Sequence, residues 1–482
     1  MAGRAPEAWS FGDGRFTFIA PLAEAPTVGT PVVITTPDGR TLLGQVGRTV
    51  LAEGATAASE DTSHLQTLGD GAIVAVLDTG SSGDADPFVG AVVTTAPQPV
   101  YQGWIEKRLG RTARLELGTA RPASLGAVHL AADGFTRHTF LCGQSGSGKT
   151  YTLGLLLEQL LLRTDLRIVV LDPNSDYVRI TEMNTEGLDP EALRRAEALP
   201  DTVRVFRSTG PNPLRVRYGR LPLQQKALVL GLDPIADAEQ FDALRGVVEM
   251  MPDPEYSLRD VRDRLSPREE SARRLVLRID NLGAADWSVW AGADDIPVVD
   301  QLPPGWRGAV ADLGELPHPR ERNAVVASIL TALWEWRHQR QPVLLVIDEA
   351  HNVAPGVPAD SAQALAIEHM VRIAAEGRKY GLYLFLATQR PDRLHPEVLA
   401  QCENLVLMKV NSSAALDLLA RTFSHVPRQL LELAPTFTIG QGLVAGRIVP
   451  IPSLFASGPR RSPEGGADVP TTWASRAGAV TA

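Results

Sequence analysis

The stretch GQSGSGKTYT, residues 143 to 152, restricts the possible folds of this chain more than any other segment. It fits the pattern G-x-x-x-x-G-K-[ST] at Gly143, Gly148, Lys149 and Thr150, and it joins an apolar run, TFLC, to a second one, LGLLLEQLLL. That order predicts a strand, a glycine-rich turn and a helix. Glycines let backbone N–H groups converge on a phosphate without side chains in the way, and the following helix aims its positive end at the same charge. The residues expected to hold ATP are Gly143, Gln144, Ser145, Gly146, Ser147, Gly148, Lys149, Thr150 and Tyr151. Lys149 is expected to reach the β- and γ-phosphates and the Thr150 hydroxyl to ligate Mg²⁺. Only five of the 47 cationic residues are lysine, so a lysine at this place is not a product of composition.

A phosphate loop needs an acid on a neighbouring strand. PVLLVIDEAHN supplies Asp348 for the metal, after the apolar run Val343 to Ile347, and Glu349 to polarise an attacking water. In LYLFLATQRP the strand ends on Thr388 and Gln389, where Gln389 is placed to sense a γ-phosphate. Residues 361 to 376 have helical spacing (Ile367, Met370, Val371, Ala374) and end at Gly377, with Arg378 and Lys379 just beyond. The helix dipole alone accounts for cations there. In a ring ATPase, Arg378 would also be placed to stabilise transition-state charge, within its own subunit or across an interface, as would Arg137 ahead of the first core strand.

The chain has 482 residues, of which 44% are hydrophobic, enough for two or three domains. Residues 1 to 125 carry short alternating runs (PVVITT, TLLGQVG, AIVAVLD, VGAVVTTA) divided by turn signals, the pattern of a small all-β barrel. From 126 to 457, apolar strands (HTFLCG, RIVVLDP, RGAVADL, PVLLVIDEA, LYLFLATQR, NLVLMKV) alternate with helix-length segments, which predicts an α/β core with a mostly parallel sheet. Residues 220 to 285 read as a helical insertion and 458 to 482 as a mobile tail. No run approaches the roughly 18 apolar residues of a membrane span, and the amino terminus lacks a signal-peptide core, so a cytoplasmic protein without a membrane partner is expected. Cys142 and Cys402 have no metal spacing and read as packing residues.

GQSGSGKT, VLDPNSDY, VLLVIDEAHN and RIAAEGRKYGLYLFLATQRP, following the β segment that contains VGTPVVITTPDGRTLLGQVG, together resemble the HerA branch of the HerA/FtsK superfamily over residues 10 to 455. The resemblance implies a RecA-like P-loop motor assembled as a homo-oligomer, a hexameric ring, with the barrel (HAS in this family) as a collar and duplex DNA in the pore. It implies Lys149 and Thr150 for phosphate and metal, Asp348 and Glu349 for metal and hydrolysis, Gln389 as sensor and Arg378 as an arginine switch. Asp172 and Asp176 fall where the family has a strand-end Asp-Pro motif, with an Asx-type loop as the plainer explanation. His351 reads as a satisfied histidine beside the site.

The resemblance also implies an effector partner, since no nuclease constellation is visible in the chain: a NurA-like nuclease in DNA end processing, or a nuclease or sirtuin-like NAD-consuming subunit in antiphage defence. The alternative is a scaffold whose nucleotide gates a partner enzyme without moving DNA. A net charge of −9 argues against a protein that coats nucleic acid over its whole surface, while leaving room for a local basic channel. Local candidates for DNA contact are Arg204, Arg207, Arg215, Arg217 and Arg220, and separately Lys107, Arg108, Arg111 and Arg114. Most such runs are solvated faces or intersubunit ion pairs, and that is the plainer reading of both.

Overall fold

The computed structural model of the chain describes residues 6–52, 65–78, 86–266, 268–292, 294–358 and 361–465. Its amino-terminal alternating runs become six antiparallel strands: β1 (Glu7–Ser10), β2 (Arg15–Pro21), β3 (Pro31–Thr35), β4 (Thr41–Leu51), β5 (Gln66–Val76) and β6 (Phe88–Thr95). They close into a barrel in the order β1-β2-β5-β4-β3-β6. Every second side chain points inward, and Phe16, Phe18, Ile34, Leu42, Val46 and Val93 fill the interior. So small a barrel seats Phe16 and Phe18 against glycine: a methyl added at Gly69 would overlap the Phe18 ring, and one at Gly71 would overlap the Phe16 ring and the Gln45 carbonyl.

The remaining strands are β7 (Arg114–Ala120), β8 (Ala127–Ala131), β9 (His138–Cys142), β10 (Arg167–Asp172), β11 (Val203–Phe206), β12 (Gly308–Asp312), β13 (Val343–Ile347), β14 (Leu382–Thr388), β15 (Cys402–Leu407), β16 (Gln441–Ala445) and β17 (Ser453–Ser457). They form one sheet in the order β11-β12-β10-β13-β14-β9-β15-β16-β17-β7-β8. From β11 through β15 every neighbour is parallel, and from β15 onward every pairing is antiparallel. β9, β12 and β13 are buried at all five positions, as parallel strands covered on both faces must be. Helices Lys149–Arg163, Pro319–Trp336 and Ser361–Glu376 flank them. The expected insertion is present as four helices, Leu223–Val229, Ala238–Glu249, Leu258–Arg264 and Glu270–Leu282, between β11 and β12. This is a RecA-like P-loop core behind a small all-β barrel.

Two details differ from the sequence reading. Residue 125 is not where the barrel ends: its last strand stops at Thr95, while the β7–β8 hairpin on either side of residue 125 extends the second sheet through β17. The alternation of β7 resembles that of the barrel strands, and only its partner tells them apart. The segment from 458 is also not mobile throughout. Residues 460 to 462 are bonded to the P-loop helix, with the Arg460 side chain at 1% exposure, and only 466 to 482 of the expected tail fall outside the described residues.

Candidate functional site

Parallel strands place all their carboxyl ends on one edge, and the glycine loop, Asp348, Glu349 and Gln389 follow strands at that edge. β9 runs directly into the glycine loop. Gly146 and Gly148 take φ values of +74° and +91°, and a side chain at Gly148 would press on the backbone of Gly440. The loop is tied to its neighbours by Gln144 N–H donating to the Lys409 carbonyl at 2.9 Å and Gly440 N–H donating to Ser147 O at 3.0 Å. Gly148 caps helix Lys149–Arg163 with no side-chain cap, so the first-turn N–H groups have no partner within the helix and are available to an anion. Ser145 and Gly146 are exposed there, and Thr150 is half-buried. Tyr151 is directed elsewhere: its hydroxyl accepts the Arg460 N–H at 2.7 Å.

β13 delivers the acids to the same point. Lys149 Nζ is 2.5 Å from Asp348 Oδ1 and 3.0 Å from Glu349 Oε1, with all three residues buried. Burial alone would lower the lysine's pKa, but the two carboxylates outweigh it and the net shift is upward, so Lys149 is a fixed cation. Asp348 Oδ1 also accepts the Glu349 N–H at 2.8 Å, and Oδ2 accepts the Tyr177 hydroxyl at 3.0 Å. Both oxygens of Asp348 are therefore oriented. Glu349 has a left-handed backbone, φ +45°, a conformation held at some cost in a non-glycine residue and characteristic of functional sites. Its Oε2 is buried without a hydrogen-bond partner, although His351 Nδ1 lies 3.3 Å away. His351 Nδ1 is also 2.9 Å from the Thr388 hydroxyl at the end of β14, and burial holds its pKa below the usual histidine value. The histidine is thus satisfied, and it also connects the glutamate to the neighbouring strand tip.

Asp172 ends β10 on this edge and accepts N–H groups from Asn174, Asp176 and Tyr177 at 3.2, 3.1 and 2.8 Å, the Asx-type arrangement expected of the plainer reading. Burial nonetheless raises its pKa to about 7 against those bonds. The folded value exceeds the unfolded one, so the folded chain takes up a proton between about pH 4 and pH 7. Its contribution to stability is complete below the unfolded pKa and is lost as pH rises through about 7. Asp172→Asn keeps an acceptor oxygen and is expected to flatten the fall in urea midpoint between pH 5 and pH 8. An unchanged slope would show that the proton goes elsewhere. Asp176 is raised to about 6, by burial first and then by Asp348 and Glu464.

Gln389 sits just past β14, exposed on the nucleotide edge. Arg137 and Arg378 do not. Arg137 precedes β9 and Arg378 precedes β14, so each lies at the amino end of a strand whose carboxyl end meets the loop. Strand rise puts them roughly 17 to 23 Å from the phosphate loop, which rules out the within-subunit option for both. They share one carboxylate, Glu403 Oε1, at 3.3 Å from Arg137 Nη1 and 2.5 Å from Arg378 Nη1.

The arginine row of 204 to 220 is not a free basic surface. Arg207 pairs with Asp312 and Glu315, Arg215 with Asp295, Arg217 and Arg220 with Glu255, and Arg204 donates to the Pro200 carbonyl. Arg217 is only 4% exposed. In the second group, Arg108 stacks on Trp104 and Arg114 pairs with Glu106, while Lys107 and Arg111 are exposed. No helix among the described residues is long and apolar enough to cross a membrane.

Comparison with known proteins gives one consistent outcome. The family model "Helicase HerA, central domain" matches residues 115–272. A "probable helicase" of Methanocaldococcus jannaschii is 24% identical over 389 residues, covering 74% of this chain and 73% of that protein. The "DNA double-strand break repair helicase HerA" of Pyrococcus furiosus is 21% identical over 371 residues, covering 66% of this chain and 64% of that protein. The fold is shared with the structure of VirB4 of Thermoanaerobacter pseudethanolicus, with a TM-score of 0.52 and 17% identity over 73% of this chain and 97% of that one.

Proposed function

We propose that the chain is a HerA-type ATPase of the HerA/FtsK superfamily and that it is an ATP-driven DNA translocase that works as a ring. The observation supporting this most strongly is the meeting of Lys149, Asp348 and Glu349 at two strand tips, with one Glu349 oxygen buried and unpartnered. In this reading the glycine loop and the helix N-terminus bind the phosphates, and Lys149 exchanges its carboxylate partners for phosphate oxygens. Glu349 then has an oxygen available to accept a proton from an attacking water, with His351 and Thr388 limiting its motion. Gln389 reports the γ-phosphate to the loop that follows β14.

Mg²⁺ fits this set. Magnesium takes one or two protein oxygens together with phosphates and water, and Thr150 and Asp348 are hard oxygen donors beside a loop in which Ser147 Oγ is buried without a partner. Bound there, it would neutralise charge on the β- and γ-phosphates.

Arg137 and Arg378, distant from their own loop, suit a neighbour's nucleotide, which requires a ring, by family a hexamer. Arg378→Ala is expected to lower turnover about 100-fold with little change in nucleotide affinity. Mixing it with Lys149→Ala subunits should recover turnover that neither variant has alone, and a mixture as inactive as its components would contradict action across an interface. Duplex DNA is the proposed cargo and a nuclease-like effector, in end processing or antiphage defence, the proposed partner. Displacement of a third strand from a triplex by the purified chain with ATP tests the motor directly. Turnover without displacement would instead support the gating scaffold.

A further inference from the structure

Residues 458 to 465 are built into the molecule in a way that reaches the metal-side carboxylate. The Arg460 side chain is 1% exposed and Glu158, in the P-loop helix, is 0% exposed, with Arg460 Nε 3.6 Å from Glu158 Oε1. Glu158 also accepts the N–H groups of Arg461 and Ser462 at 2.8 and 2.7 Å and the Ser462 hydroxyl at 2.5 Å. A buried carboxylate on the nucleotide-binding helix is thus devoted to three consecutive residues of the carboxyl-terminal segment. The helix also makes space for the guanidinium, because a methyl at Gly154 would overlap it. A glycine inside a helix weakens that helix relative to alanine, so this one serves contact rather than propensity.

The guanidinium lies 5.8 Å from the Tyr177 ring centroid, and Arg460 Nη2 donates to the Asp176 carbonyl at 3.3 Å. The Gly465 N–H donates to the same carbonyl at 3.1 Å. Tyr177 is fully buried, its own N–H is held by Asp172, and its hydroxyl donates to Asp348 Oδ2 at 3.0 Å. We propose that Arg460, seated on Glu158 and Gly154, is a positioning residue for ATP hydrolysis: it holds the 172–177 loop so that Tyr177 orients Asp348 toward the metal. The inference rests on the nucleotide-site reading above and adds to it a dependence on a segment more than 100 residues downstream of Asp348.

Three substitutions in the full chain test it: Arg460→Ala; Gly154→Ala, which evicts the guanidinium while removing no functional group and favouring the helix; and Tyr177→Phe, which removes only the hydroxyl. Each is expected to lower turnover about 10- to 100-fold, the usual effect of losing a partner that orients a metal ligand. Binding of a fluorescent ATP analogue in EDTA should be unchanged, while the gain in its affinity on adding Mg²⁺ should shrink about tenfold. Arg460→Ala combined with Tyr177→Phe should be no worse than the more damaging single change, because both act through Asp348. Losses that multiply, or a full Mg²⁺ gain in Gly154→Ala and Arg460→Ala, would overturn the inference while leaving the nucleotide site intact. An unaltered chain that neither bound nor hydrolysed ATP would remove the site reading and this inference together.

Discussion

Glu349→Gln is expected to bind ATP as the unaltered chain does and to hydrolyse it roughly 1,000-fold more slowly, within the range of a lost general base. The substitution preserves shape and the left-handed backbone at φ +45°, and it keeps one carbonyl oxygen near Lys149. What it removes is the basicity of the buried oxygen that has no hydrogen-bond partner. Equilibrium binding of a fluorescent ATP analogue beside single-turnover phosphate release separates the two effects. Equal losses in both would mean that Glu349 holds the loop rather than activating water.

Lys149→Ala should fail differently. This lysine is the cation nearest the proposed phosphate site and also neutralises two buried carboxylates, at 2.5 and 3.0 Å. Affinity and turnover should therefore fall together, turnover by roughly 1,000-fold. Removing one member of a buried ion pair leaves the others uncompensated, so about 3 to 5 kcal/mol of stability should be lost as well, while the chain stays folded. Calorimetry with a turnover assay checks both. An unchanged melting temperature would show that the carboxylates find other partners, and normal turnover would mean that the nucleotide binds elsewhere.

The parts of this site that were legible in the sequence are those built from neighbouring residues. The glycine loop, the lysine after it, and the acids ending an apolar run each carry their chemistry within about ten residues, and local geometry leaves such a loop few ways to fold. The position of Arg137 and Arg378 was also available in principle: in a parallel sheet, a residue before a strand and one after it lie on opposite edges, which removes the within-subunit option.

Tyr177 and Arg460 were not legible. Tyr177 reads as an ordinary aromatic in a loop until the β10–β13 register brings Asp348 beside it. Arg460 sits in a proline- and glycine-rich stretch with no apolar periodicity, and its burial depends on a glutamate some 300 residues earlier. The arginine row of 204 to 220 misleads for the same reason, because its acidic partners, Glu255, Asp295, Asp312 and Glu315, come from distant segments. The β7–β8 hairpin has the alternation of a barrel strand, and only its pairing with β17 assigns it to the other sheet.

Whether this strand-tip cluster converts ATP hydrolysis into work on DNA is decided by phosphate release from the purified chain with and without linear duplex. Mg²⁺-dependent turnover on the order of 1 s⁻¹ or faster is expected, raised by duplex DNA and lowered roughly 1,000-fold in Glu349→Gln. Release that is indifferent to DNA, or that is as fast in the Glu349→Gln chain, would mean that this cluster does not drive such a motor.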